Sequence, residues 1–318
     1  MTIHEHKAYF ADKTIIDWEP GDPMPDPGTE IPRFQTVASW GENVLNSIEK
    51  FQQFQADPAS STSAGFVFGM QYEDTAEDYT DPIVEVLLEH KDHFPHLTTL
   101  FLGDIAQEES EISWIQLGDV SSLFTAYPQL KHFGIRGCAS TYTSPYLHLG
   151  VLNLEHLKTL VVETGSMDRS VVQDVLRSHL PALEHLELWT GSAGYMANCT
   201  VEDFAPLLTG NLFPNLRYLG LRDSEITNEL AIALSQSPLL EQLEVLDLSL
   251  GTLDDSGAVA LLNCPAIRKL TRLDLSHHFC SDEMVQRLQT LDIEVDLSEQ
   301  AEPRLWDGQE QHFVAISE

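Results

Sequence analysis

Leu243-Glu244-Val245-Leu246-Asp247-Leu248 and, 27 residues later, Leu270-Thr271-Arg272-Leu273-Asp274-Leu275 are two copies of one frame, apolar-x-x-apolar-x-apolar. The last two apolar positions are two residues apart, so on a strand they point to one side and the residues between them to the other. The frame recurs upstream at Leu97/Leu100/Leu102, Leu130/Phe133/Ile135, Leu157/Leu160/Val162, Leu183/Leu186/Leu188 and Leu216/Leu219/Leu221. Its first positions are spaced 33, 27, 26, 33, 27 and 27 residues apart, and a shortened step reaches Val295/Leu297. A period of this size identifies a stacked repeat architecture.

Helical spacing follows most of the strands. Asp168 precedes Val171, Val172, Val175 and Leu176, and Thr200 precedes Val201, Phe204, Leu207 and Leu208. Thr227, Asp255 and Ser281 lead into similar runs, and all five suit helix N-caps. Thr200-Val201-Glu202-Asp203 has the form of a capping box. A single strand–helix unit cannot bury its own apolar face, so neighbouring units must stack. The expected fold class is α/β: a solenoid with a curved parallel inner sheet and outer helices. Leu219→Asp is expected to unfold it and Tyr218→Asp, on the outward side, is not. Insertions fall at 104–127 and 190–199.

Only Leu45 precedes residue 87 among the leucines, and residues 17–32 hold five prolines, which reads as an extended connector. Strands are expected at Lys13–Trp18, Arg33–Ser39 and Gly65–Tyr72, and helices over 41–55 and from Asp81-Pro82. The organisation predicted is an N-terminal α/β cap at 1–93, a repeat array at 94–300, and a tail at 301–318 with an edge strand over 312–316.

The chain of 318 residues carries 17 Lys and Arg against 50 Asp and Glu, a formal charge of −33. Such a balance argues against nucleic acid, whose binding depends on basic side chains displacing counterions, and against anionic membranes. No apolar run is long enough to span a bilayer. The four scattered cysteines and the polar N-terminus fit a reducing, cytoplasmic setting. Motifs for phosphate loops, dinucleotide binding, zinc proteases, CxxC pairs and serine elbows are missing, so no catalytic residue, cofactor or metal is expected.

These residues resemble the leucine-rich repeat superfamily in its helix-containing, ribonuclease-inhibitor-like form, over about residues 94–300. A closer resemblance is to a bacterial leucine-rich repeat family of unassigned function. It is carried by Glu111 to Ser121, Leu180 to Gly191 (LPALEHLELWTG), Thr200 to Leu234, Leu246 to Leu262 and the HFVAISE at 312–318. That resemblance implies a cytoplasmic bacterial protein and points to no particular site. The superfamily usually places asparagine or cysteine just after the strand. Here the position reads Ile105, Cys138, Gly165, Gly191, Ser224, Gly251 and His278.

Outward strand positions form the default binding surface of such an array. The candidate partner contacts are Arg136, His185, Glu187, Trp189, Tyr218, Arg222, Asp247 and Asp274. Trp, Tyr and Arg favour interface anchoring, while Glu187, Asp247, Asp274 and Asp296 make an acidic column interrupted by Gly220. The function this implies is a non-catalytic protein or peptide interaction with a partner bearing a basic patch. The alternative is an enzyme with an acidic, metal-dependent site on the same face. Asp274, His277, His278, Cys280 and Asp282 carry ligand-type side chains but read better as a loop. Asp104, Glu108, Glu109 and Glu111 read as a solvated acidic loop, and Trp114 as packed on the array edge.

Overall fold

A computed structural model describes residues 3, 5–36, 45–71, 79–139, 147–306 and 308–316. Among them, twelve strands form one sheet in chain order. They are β1 (Tyr9–Phe10), β2 (Lys13–Asp17), β3 (Glu30–Phe34), β4 (Gly65–Phe68), β5 (Thr99–Leu102) and β6 (His132–Arg136). There follow β7 (Thr159–Glu163), β8 (His185–Gly191), β9 (Tyr218–Ser224), β10 (Val245–Asp247), β11 (Arg272–Asp274) and β12 (Glu294–Asp296). Only the β1–β2 pairing is antiparallel. Parallel neighbours require a crossover in each unit, and many of these crossovers carry a helix.

The repeat frame sets the register. Leu246 pairs with Leu219 and Leu273, so the leucines stack in a column from turn to turn. Leu100, Phe133, Leu160, Leu186, Leu219, Leu246 and Leu273 are all fully buried, in one core with the helix residues Val172, Leu207, Leu230, Leu261 and Leu288. Asp168 and Ser281 cap their helices through the side chain, and Thr200 forms the capping box with Asp203. Two caps fall one residue from expectation. Thr227 lies inside its helix and donates to the Ser224 carbonyl, and Asp254 rather than Asp255 caps the next helix.

Leucine gives way to phenylalanine at the start. Phe66 and Phe68 pair with Leu100 and Leu102, so β4 occupies the repeat frame with aromatic residues. Phe34, Phe51, Phe54, Phe66, Phe68 and Phe94 pack in edge-to-face and tilted pairs at centroid distances of 4.8–6.0 Å. The sheet therefore runs unbroken across the 93/94 boundary. β3 starts at Glu30 and contains Pro32, within the stretch expected as a connector. β4 ends at Phe68, and the helix expected over 41–55 spans Ser47–Ala56. Residues 37–44 and 72–78 lie outside the described residues.

Turns after the strands use Gly, Ser and Thr where an asparagine ladder was absent. A Cβ on Gly191 (φ +72°) would lie 2.0 Å from the Gly165 carbonyl oxygen, so this approach requires glycine. Ser166 Oγ lies 3.2 Å from the Ala139 N–H that it accepts, and Thr252 N–H donates to the Ser224 carbonyl at 3.1 Å. Asp223, at the end of β9, and Leu250, His277 and Glu299, just past β10 to β12, each adopt a left-handed backbone.

At the C-terminal end, β13 (Arg304–Trp306) and β14 (Gln309–Gln311) form a separate hairpin. The edge strand expected over 312–316 is not formed. That segment instead lies along the turns, because its N–H groups go to Leu250 O and an Asp223 carboxyl oxygen rather than to a ladder.

Candidate functional site

The helices cover one face of the sheet, and the residues between the inward pairs line the other. Register places Asp17, Arg33, Val67, Phe101, Gly134, Val161, Glu187, Gly220, Asp247, Asp274 and Asp296 in one column down this helix-free face. The acidic run and its interruption at Gly220 stand where the sequence put them.

Their exposure does not. Of the eight candidate contacts, Arg136, Glu187, Trp189, Arg222 and Asp247 are buried, and Trp189 is only 2% exposed. His185, Tyr218 and Asp274 are half-buried. The reason is that both ends of the chain, together with the insertion after β5, fold onto the face. Phe10 packs edge-on against Phe101 at 5.1 Å, in space left by Gly134, where a Cβ would lie 2.2 Å from the Phe101 ring. Ile3, Ile112, Trp189, Leu250 and Ile316 form a distinct apolar cluster. Alternation along one strand cannot reveal a cover supplied by residues far away in sequence.

Three ionic groups descend the face. In the first, Arg33 bonds Asp17 and Asp104 at 2.7 Å each, and Arg136 bonds Glu163 at 2.6 Å. Lys7 Nζ reaches Glu163 at 2.7 Å and sits 4.8 Å from the Phe101 ring centre. Burial alone would raise the Glu163 pKa, but Arg136 and Lys7 hold its carboxyl below the usual range. Asp104 is thus a fully buried hub, not part of a solvated acidic loop. Glu109 pairs with His6 at 3.2 Å. Trp114 is 57% exposed rather than packed on an edge, and its indole N–H donates to Glu111 at 2.9 Å.

The second group is centred on Arg222, which bonds Glu187 at 2.8 Å, approaches Asp247 at 3.3 Å and lies over the Trp189 ring at 4.9 Å. Trp189 donates to Glu187 at 2.7 Å and Tyr218 to Asp247 at 2.7 Å, while the His185 and Tyr218 rings stack at 3.8 Å. Burial opposes ionisation of Glu187, yet Arg222 and His185 keep its carboxyl well below the usual value. Asp247 is pushed up by burial despite Arg222. The third group is open to solvent: Arg272 bonds Asp274 at 2.8 Å, Glu294 at 2.9 Å and Asp296 at 3.2 Å.

No group of three His, Cys, Asp or Glu side chains is placed to hold a metal among the described residues. In the loop at 277–282, His278 is buried; its Nδ1 accepts the Cys280 N–H and its Nε2 lies 3.2 Å from Leu297 O. The cysteines form no disulfide, and burial pushes the Cys199 and Cys280 thiols up to about 12. No helix among the described residues is long and apolar enough to cross a membrane.

A repeated strand-and-helix chain with its ends folded over one sheet face defines the class as an α/β repeat protein. No family model and no curated protein matches the chain. Among solved structures, a Bacteroides fragilis protein from the Northeast Structural Genomics Consortium is 32% identical with a TM-score of 0.75. The match covers 89% of this chain and 76% of that one, and the chain belongs to that protein's family. An internalin from Listeria monocytogenes is 16% identical, with a TM-score of 0.38, over 78% of this chain and 70% of that one.

Proposed function

We propose that the protein is a leucine-rich repeat solenoid acting as a non-catalytic interaction module in the cytoplasm, and that it docks a basic segment of a protein partner on the uncovered end of its concave face. The observation that carries this reading is the open third ionic group. Beyond Asp247 the central column continues as Asp274 and Asp296, flanked by Glu294, and among the described residues the one cation bonded to these three carboxylates is Arg272. A Lys- or Arg-bearing segment gains there from unneutralised charge, and the net −33 draws it in from a distance. The half-buried His185–Tyr218 stack lies on the same face, with Tyr218 in register with Val245 and Arg272.

The test is affinity capture from native cells with the wild-type chain and with Asp274→Asn/Asp296→Asn. The expected result is a partner that the double variant loses and whose retention by the wild type falls as salt rises from about 50 to 300 mM, because screening weakens exposed charge pairs. Equal retention by both proteins, insensitive to salt, contradicts the reading.

A further inference from the structure

The last described residues run back across the turns of the array. The His312 ring stacks on Phe279 at 4.2 Å and 11°, with its Nδ1 3.9 Å from Asp254. The Ala315 N–H donates to the Leu250 carbonyl at 2.8 Å, and the Ile316 N–H to Asp223 Oδ1 at 2.9 Å. Asp223 and Leu250 occupy the same place in successive turns, 27 residues apart, both left-handed at φ 47° and 66°. Two adjacent turns therefore offer one acceptor each to an extended chain. The Ile316 side chain completes the apolar cluster around Trp189, and Val314 is buried beside it in sequence.

The approach to this seat is open. The hairpin leading to it is exposed, with Leu305 at 75% and Trp306 at 64%. An open depression of about 390 Å³ remains between Glu310, Gln311 and His312 on one side and Glu225, Thr252 and the helix residues Asn228 and Glu229 on the other. The second carboxyl oxygen of Asp223 is buried with no hydrogen-bond partner among the described residues, a polar group that the tail leaves unused. An isolated two-stranded hairpin adds little stability of its own, so opening this segment needs no disruption of the sheet.

We propose that the turns at Asp223 and Leu250 form a receptor for an extended apolar-x-apolar segment, that Val314-Ala315-Ile316 is its intramolecular occupant, and that a partner segment of the same pattern displaces it. The pattern is specific: two main-chain N–H groups, an aliphatic side chain against Trp189, and four residues earlier an aromatic or cationic ring to meet Phe279 and Asp254. The existence of that partner rests on the interaction reading above; the displaceable tail does not.

Two measurements on the full-length chain test it. In the first, a labelled peptide of residues 309–318 is titrated against wild type and Ile316→Asp, which ejects the tail in place. The variant is expected to bind at least about tenfold more tightly than wild type, and a peptide carrying the same Asp is expected not to bind. Equal binding to both proteins, or binding to neither, overturns the proposal. In the second, hydrogen exchange of the wild type is expected to show the Ala315 and Ile316 amides exchanging about 100-fold faster than those of Leu219 and Leu246. Exchange of all four at one rate means that the tail opens only with the array, and also overturns it. Neither readout involves Asp274 or Asp296, so a failure here leaves the docking of a basic segment standing.

Discussion

Arg222 holds two buried carboxylates apart from one another and fills the space above Trp189. Removing it strands both acids in a dry site, so Arg222→Ala is expected to cost about 3–5 kcal/mol, read as a shift in denaturant midpoint. Its neighbour Asp223 makes stability depend on pH. Burial pushes the Asp223 carboxyl well above its usual value of 3.8. As pH rises past that value the unfolded chain loses its proton first, so stability falls until the folded carboxyl also ionises. Asn tolerates the same left-handed backbone. Asp223→Asn is therefore expected to gain thermal midpoint relative to wild type as pH rises above about 4; a difference that stays constant with pH would contradict a carboxyl whose ionisation burial opposes. Nothing in the alternation singled out Asp223, but the outward direction of Glu187, Trp189, Arg222 and Asp247 was legible from it alone. Their burial was not, because Ile3 and Ile316 lie far from Trp189 along the chain.

Strands were the most legible elements wherever the frame used leucine, since a period of two inside a period near 27 admits few alternatives. The same frame written in phenylalanine, Phe66-Val67-Phe68, was read as a strand but not as part of the array. Phe51→Ala is expected to cost about 3–5 kcal/mol, because its ring packs against four other phenylalanines and leaves a cavity that a stacked sheet cannot close. A loss below about 1 kcal/mol would place these rings outside the cooperative core. The tail was misread for a different reason: an apolar run such as Phe313-Val314-Ala315-Ile316 favours extended backbone, but a strand also needs a free ladder beside it. The contrast between Leu219 and Tyr218 changes as well. Tyr218→Asp would set a third carboxylate beside Glu187 and Asp247, so it is expected to destabilise, whereas Tyr218→Phe loses only the bond to Asp247.

At the scale of the molecule, the face opposite the helices divides into three parts: a sealed N-terminal stretch under Phe10 and Lys7, a central Trp189 chamber closed by both chain ends and Ile112, and an open acidic end. The acidic end was visible in the sequence as a column of Asp; the division itself depends on where two short terminal segments come to rest. Hydroxyl-radical footprinting tests that division most directly, because three tryptophans report within one sample. The expected result is strong oxidation of Trp114 and Trp306, exposed by 57% and 64%, with Trp189 protected at least about tenfold. Oxidation of Trp189 at a rate like theirs would mean that the chain ends do not close the face, and would contradict the account.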